Sequence, residues 1–164
     1  MRDSKRFRPL KPADAESPVF ALLFLIIFSA WIERLFFDAD EGRTWNRLHE
    51  ITGNVNRNVL YNHLGMEEDG PDPGRSLILD PDCADNPFFL RAYFSWKTGL
   101  PFGLFRWRKD EVSGRYRADY FTNRESRPPG FSDVKAFQTF LRLIKDTVYS
   151  RTALFESDFP ESEL

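Results

Sequence analysis

Cys83 is the one cysteine of the chain, and a thiol is the strongest nucleophile a side chain offers near neutral pH. It stands in Asp80-Pro81-Asp82-Cys83-Ala84-Asp85-Asn86-Pro87, directly ahead of the apolar run Phe88 to Trp96. If that run is a helix, the thiol sits where unbonded backbone N–H groups and the helix dipole place partial positive charge, which favours the thiolate. Asp82 and Asp85 act in the opposite sense, because adjacent negative charge disfavours the anion unless a cation compensates. The competing reading is a small buried hydrophobe with no chemistry.

A thiol nucleophile needs a base within hydrogen-bond reach, usually an imidazole oriented by a third polar group. Only His49 and His63 are available, and both precede Cys83. His49 lies between Leu48 and Ile51 on a helix flank and reads as structural. His63 stands before Leu64-Gly65, where a cation at a helix end would complement the dipole. It is also the nearer of the two to Cys83 and adjoins an acidic loop, so Cys83 and His63 are the candidate catalytic residues of a permuted cysteine-histidine site.

Other constellations read more plainly. With one cysteine and two histidines there is no zinc cluster and no intramolecular disulfide. Glu67-Glu68-Asp69 lacks the spaced oxygen ligands and central glycine of a calcium loop, so a solvated turn is expected, with neither metal nor cofactor. In the segment after Gly103, Arg106 with Arg108 and Arg115 with Arg117 alternate with Phe105, Trp107, Tyr116 and Tyr120. A basic face over aromatic rings can hold phosphates and stack bases. Asp110, Glu111 and Asp119 dilute that charge, so a half-buried hairpin is expected and no nucleic-acid partner.

These residues need elements to position them. Residues 1–17 form a basic tail interrupted by Pro9 and Pro12. Residues 18–37 form a hydrophobic helix, and Val19 to Ile32 contains fourteen residues without a charge. A membrane span needs about 20, whereas an export signal core needs 7–15. Two readings follow: an anchor or export signal, giving membrane association through residues 19–32, or a buried first helix in a cytoplasmic protein. Thr44 to Gly53 reads as a helix with Trp45, Leu48 and Ile51 on one face. Val59, Leu60 and Leu64 suggest a second, short one stopped by Gly65. Glu67 to Gly74 is dense in turn formers and reads as an exposed loop. Phe88 to Trp96 is apolar all round, the mark of a central helix. Phe105–Arg108 and Arg115–Phe121 read as a hairpin. Ser132 caps a last helix whose Phe137, Phe140, Leu141, Ile144 and Val148 follow helical spacing, and residues 155–164 form an acidic tail.

At 164 residues the chain suffices for one domain that folds without staples. Its formal charge of −2 supplies no global field toward nucleic acid or acidic membrane. Seventeen phenylalanines point to a thick aromatic core or to apolar surface awaiting a partner.

The segment Asp82-Cys83-Ala84-Asp85-Asn86-Pro87-Phe88-Phe89-Leu90-Arg91-Ala92-Tyr93-Phe94-Ser95-Trp96-Lys97-Thr98-Gly99-Leu100-Pro101-Phe102-Gly103 has upstream companions in Trp45-Asn46-Arg47-Leu48-His49-Glu50 and Tyr61-Asn62-His63-Leu64-Gly65-Met66-Glu67-Glu68-Asp69. Together they resemble the papain-like cysteine hydrolases of the bacterial cell-wall amidase and endopeptidase type, over roughly Trp31 to Leu154. The resemblance implies a nucleophilic Cys83 at the head of the central helix and a histidine base on a later strand of a small antiparallel sheet. No histidine follows position 63, a departure that makes the chain either the N-terminal part of a longer enzyme or a domain without catalysis.

The expectation is therefore an α+β, mostly helical chain with a central buried helix starting near Cys83, a short antiparallel hairpin and an amphipathic C-terminal helix, an incomplete papain-like fold across residues 38–154. Its expected function is the nucleophile-bearing part of a thiol hydrolase acting on a peptide or amide substrate, inactive alone. The alternative is a non-catalytic interaction module, with or without attachment to a membrane through residues 19–32.

Overall fold

A helix apolar on every side can bury itself only if other elements cover it from more than one direction, and the fold is built around that requirement. The structure is a computed structural model that describes residues 18–37, 39, 42–45, 47–109, 111–123, 133–146 and 148, with the side chains of 18, 20, 21, 105–109 and 116–122 outside the description. Among the described residues the elements run α1 (Pro18–Phe36), α2 (His49–Thr52), α3 (Asn86–Thr98), β1 (Gly103–Lys109), β2 (Tyr116–Thr122) and α4 (Val134–Lys145). The chain is mostly helical α+β.

Helix α3 is the centre, with Phe89, Leu90 and every residue from Ala92 to Lys97 buried. From one side α1 lays Phe24, Phe28, Trp31 and Leu35 across it, a spacing that keeps one stripe of a helix facing inward. Trp31 stacks on Tyr93 at 5.7 Å, and Phe24 and Phe28 meet Phe94 edge-on at 5.6 and 5.4 Å. On another side α4 stacks Phe137 on Trp96 at 4.2 Å. Gly99 ends α3 in the left-handed region (φ 68°), and the N–H of Leu100 reaches back to the carbonyl of Ser95 at 2.8 Å, the hydrogen bond of a Schellman stop. β1 and β2 pair antiparallel from Gly103 opposite Thr122 to Lys109 opposite Tyr116. Asn123 pins the hairpin's base: its side chain accepts from the N–H of Phe102 and donates to the carbonyl of Leu100.

Several expectations change. The anchor reading of residues 19–32 is corrected: among the described residues no helix is long and apolar enough to cross a membrane. The uncharged run reaches only about 21 Å at 1.5 Å per residue, short of a bilayer core, and Trp31 and Leu35 belong to the protein core. The helix expected from Thr44 shrinks to His49–Thr52. The stripe Val59, Leu60 and Leu64 lies on successive turns, with Asn62 in the left-handed region (φ 48°), a conformation that breaks a helix. In α4 the cap is Asp133, whose Oδ1 accepts the N–H of Ala136 at 2.8 Å. Ser132 lies outside the described residues, as do the tails 1–17 and 155–164.

Candidate functional site

The turn that carries Cys83 is organised by its neighbouring aspartates. Asp82 Oδ1 accepts the N–H groups of Ala84 and Asp85 at 2.8 and 3.0 Å, while Asp85 Oδ2 accepts the N–H of Asp82 at 3.3 Å. This reciprocal arrangement is a capping box made with two aspartates. α3 proper then starts at Asn86, with Pro87 in its first turn where a missing N–H costs nothing. Cys83 thus occupies the turn ahead of α3, exposed and in no disulfide. Asp82 therefore acts as a cap as well as an adverse charge.

Cys83 borders a cleft of about 230 Å³ together with Phe36, Trp45, Arg47, Asp82 and Asn86. Arg47 is the cation that the local sequence around the thiol lacks. Trp45 is fixed edge-on against Phe36 at 5.7 Å, with Arg43 over its face at 5.1 Å. Two buried oxygens of the residues that follow, Asp85 Oδ1 and Asn86 Oδ1, accept no hydrogen bond from any described residue. Burial pushes the Asp85 carboxyl above its ordinary range, with the Asp82 and Asp146 charges acting the same way against the N–H of Asp82 and the charge of Lys145.

Neither histidine joins this cleft. His49 Nδ1 lies 3.1 Å from the carbonyl oxygen of Leu79 and 3.2 Å from its N–H, so either tautomer ties α2 to the extended segment before Cys83. His63 is exposed on a turn, where no helix end is present for it to complement. The structure does not bring His63 to Cys83. The hairpin's arginine and aromatic side chains lie outside the described residues, apart from Arg115, which is exposed; at the backbone, Arg108 stands opposite Arg117 and Arg106 opposite Asp119.

The strongest polar constellation is one the sequence reading missed. The acidic stretch expected to be solvated is buried at Glu68 and Asp69, and Lys97 of α3, with a wholly inaccessible side chain, donates to Glu68 Oε1 and Asp69 Oδ2. Backbone N–H groups of Leu64 and Met66 complete Glu68, and Asn62 exchanges two hydrogen bonds with Asp69. Tyr93 donates its hydroxyl to Asp69 Oδ1 at 2.8 Å and accepts from Asn58 Nδ2 at 2.8 Å, while Asn58 Oδ1 accepts from Trp31 Nε1 at 3.1 Å. Burial acts to raise the Glu68 carboxyl, but the hydrogen bonds from Lys97 and from backbone N–H groups together hold it below its usual range. For Asp69 burial outweighs Lys97 and the carboxyl rises. Burial, reinforced by Asp69, pushes the Tyr93 phenol well above 10. Sealed from solvent, Lys97 reaches no substrate; the network clamps residues 58–69 and α1 onto α3. Among the described residues no cluster could hold a metal ion.

No family model, curated protein or solved structure matches this chain.

Proposed function

We propose that Cys83 is the attacking thiol of a hydrolase acting on an amide or peptide bond, with this chain supplying the nucleophile and not the base. The observation that carries the reading is an exposed thiol on the turn ahead of a buried helix, lining a cleft that Arg47 also lines. In the attack Sγ bonds to the carbonyl carbon, and negative charge moves to the carbonyl oxygen. Asp82 already occupies the N–H groups of Ala84, Asp85 and Asn86, whereas the N–H of Cys83 has no acceptor among the described residues and can face that oxygen. Expulsion of the amine requires a proton, which an imidazole normally delivers. Purified chain is expected to show no turnover of peptide or amide substrates. Its thiol is tested by alkylation of the folded protein with iodoacetamide, with Cys83→Ser as the blank.

A non-catalytic interaction module is favoured by a different observation. On the outer side of α1, Val19, Leu22, Leu23, Leu25, Ile26 and Ile27 are 46–67% exposed, an uncharged aliphatic face on an otherwise charged protein. Covering a half-exposed aliphatic side chain gains about 1 kcal/mol. Six of them together gain about 6 kcal/mol, inside the roughly 4–15 kcal/mol lost on association and well below its upper end, so the partner must bring an apolar face of its own. A second copy related by a twofold axis does so by symmetry. Sedimentation equilibrium is expected to show a dimer that becomes monomeric in the Leu22→Glu/Ile26→Glu variant. A parent chain that stays monomeric at every accessible concentration would count against this module.

A further inference from the structure

On a chain of net charge −2, one groove is strongly cationic. It encloses about 560 Å³ between α4 and the segment leading to Cys83, and Arg75, Lys135, Arg142 and Lys145 line it against the single carboxylate residue Asp80. Arg75 is matched by Glu67 and Asp72, at 2.9 and 3.8 Å. Lys145 donates to the carbonyl of Asp80 at 3.1 Å. Lys135 and Arg142 have no carboxylate partner among the described residues. The groove's polar uncharged side chains are already engaged: Gln138 makes two hydrogen bonds to the backbone of Ile78, Ser76 donates to the carbonyl of Asp72, and Thr139 donates to that of Lys135. What remains for a ligand is ammonium and guanidinium, beside the accessible apolar surface of Pro73, Ile78 and Val134.

We infer that this groove binds an extended acidic peptide. Lys135, Arg142 and Lys145 share one face of α4, and the first and last are about 15 Å apart along its axis. That length matches four to five residues of extended chain at about 3.3 Å each. Charges beside apolar surface select a ligand whose anionic groups alternate with apolar ones, as carboxylates do along a peptide with interspersed leucine or phenylalanine. A nucleic acid strand fits less well, because its bases want exposed rings to stack on and Phe89 is only 3% exposed. The guanidinium of Arg142 suits a carboxylate through paired N–H donors. The groove shares no lining residue with the Cys83 cleft, so the inference is independent of the thiol.

The test is fluorescence anisotropy with a fluorescein-labelled peptide in which glutamate alternates with leucine and phenylalanine, titrated with the full chain carrying Cys83→Ser. Binding is expected to weaken with added salt, and to fall at least about tenfold for the same peptide with glutamine in place of glutamate. The Lys135→Glu/Arg142→Glu variant is expected to lose at least as much. Its melting temperature should match the parent's, since neither side chain is hydrogen-bonded to a described residue, and Lys135→Gln/Arg142→Gln gives the same direction if the reversal perturbs folding. Equal affinity for the two peptides, or variants that bind like the parent, would overturn the assignment. Tighter binding of labelled oligodeoxythymidylate than of the acidic peptide would overturn it as well and make the groove a nucleic-acid surface.

Discussion

Replacing Lys97 by methionine lowers the stability of the folded chain by about 3–5 kcal/mol at neutral pH, because it leaves two carboxylates buried without their cation. Both Glu68 and Asp69 depend on this one ammonium, and their remaining hydrogen bonds come from backbone N–H groups and from Tyr93. The loss depends on pH in a defined direction. In the parent, the lowered Glu68 carboxyl contributes stability that is present above its ordinary value of 4.5 and is lost as pH falls through its folded value. Asp69, with a raised carboxyl, works in the opposite sense: its contribution is fully present below 3.8 and is lost as pH rises through the folded value. Without Lys97 both carboxyls move up, toward the second pattern, since burial is then opposed only by the backbone N–H groups and, at Asp69, by Tyr93. The gap between parent and variant should therefore narrow as pH falls. Urea denaturation at neutral and acidic pH measures it, and Lys97→Met/Glu68→Gln/Asp69→Asn should recover part of the loss. A neutral-pH difference below about 1 kcal/mol would mean that the network is not closed to solvent as described.

Trp31→Ala is expected to cost about 3–5 kcal/mol, the range for removing a buried tryptophan. Trp31 stacks on Tyr93, packs on Phe94 at 5.4 Å and donates to Asn58. Asn58 Oδ1 keeps the N–H of Leu60, so the main loss is of packing. Leu22→Ala on the outer side of the same helix should change stability by no more than about 0.5 kcal/mol. For a domain of this size the first change amounts to a fall in melting temperature of about 10 °C. The contrast separates a core helix from an appended hydrophobic tail. Equal, small effects at both positions would contradict the packing of α1 on α3.

The long elements were legible because their patterns are local. Phe137, Phe140, Leu141 and Ile144 repeat at helical spacing, and Phe88 to Trp96 is apolar on both faces, so α4 and the buried α3 follow directly from the sequence. The two readings of residues 19–32 could not be separated that way, since an anchor and a core helix share the same composition; Trp31 and Leu35 decide it only once α3 is beside them. Glu68 and Asp69 were misread for a physical reason. Among glycines and prolines, consecutive acids look solvated, and the cation that permits their burial comes from α3, 28 and 29 residues later in the chain. Arg47 escaped notice for the same reason, because it reaches the thiol's cleft from another part of the chain. The stripe Val59, Leu60 and Leu64 failed as a helix because Asn58, Asn62 and Asp69 offer the backbone competing side-chain hydrogen bonds.

The most direct measurement of the central claim is the rate at which iodoacetamide alkylates Cys83 in the native chain, compared with the same cysteine in urea-unfolded protein at the same pH and urea-corrected reagent activity. A thiol activated by its place ahead of α3 and by Arg47 should react at neutral pH at least as fast as in the unfolded chain. Arg47→Ala should slow it by about two- to fivefold, the effect of losing one cation at a partly exposed site. Native labelling slower than unfolded labelling, together with no response to Arg47→Ala, would contradict the nucleophile reading and leave Cys83 as an exposed thiol without chemistry.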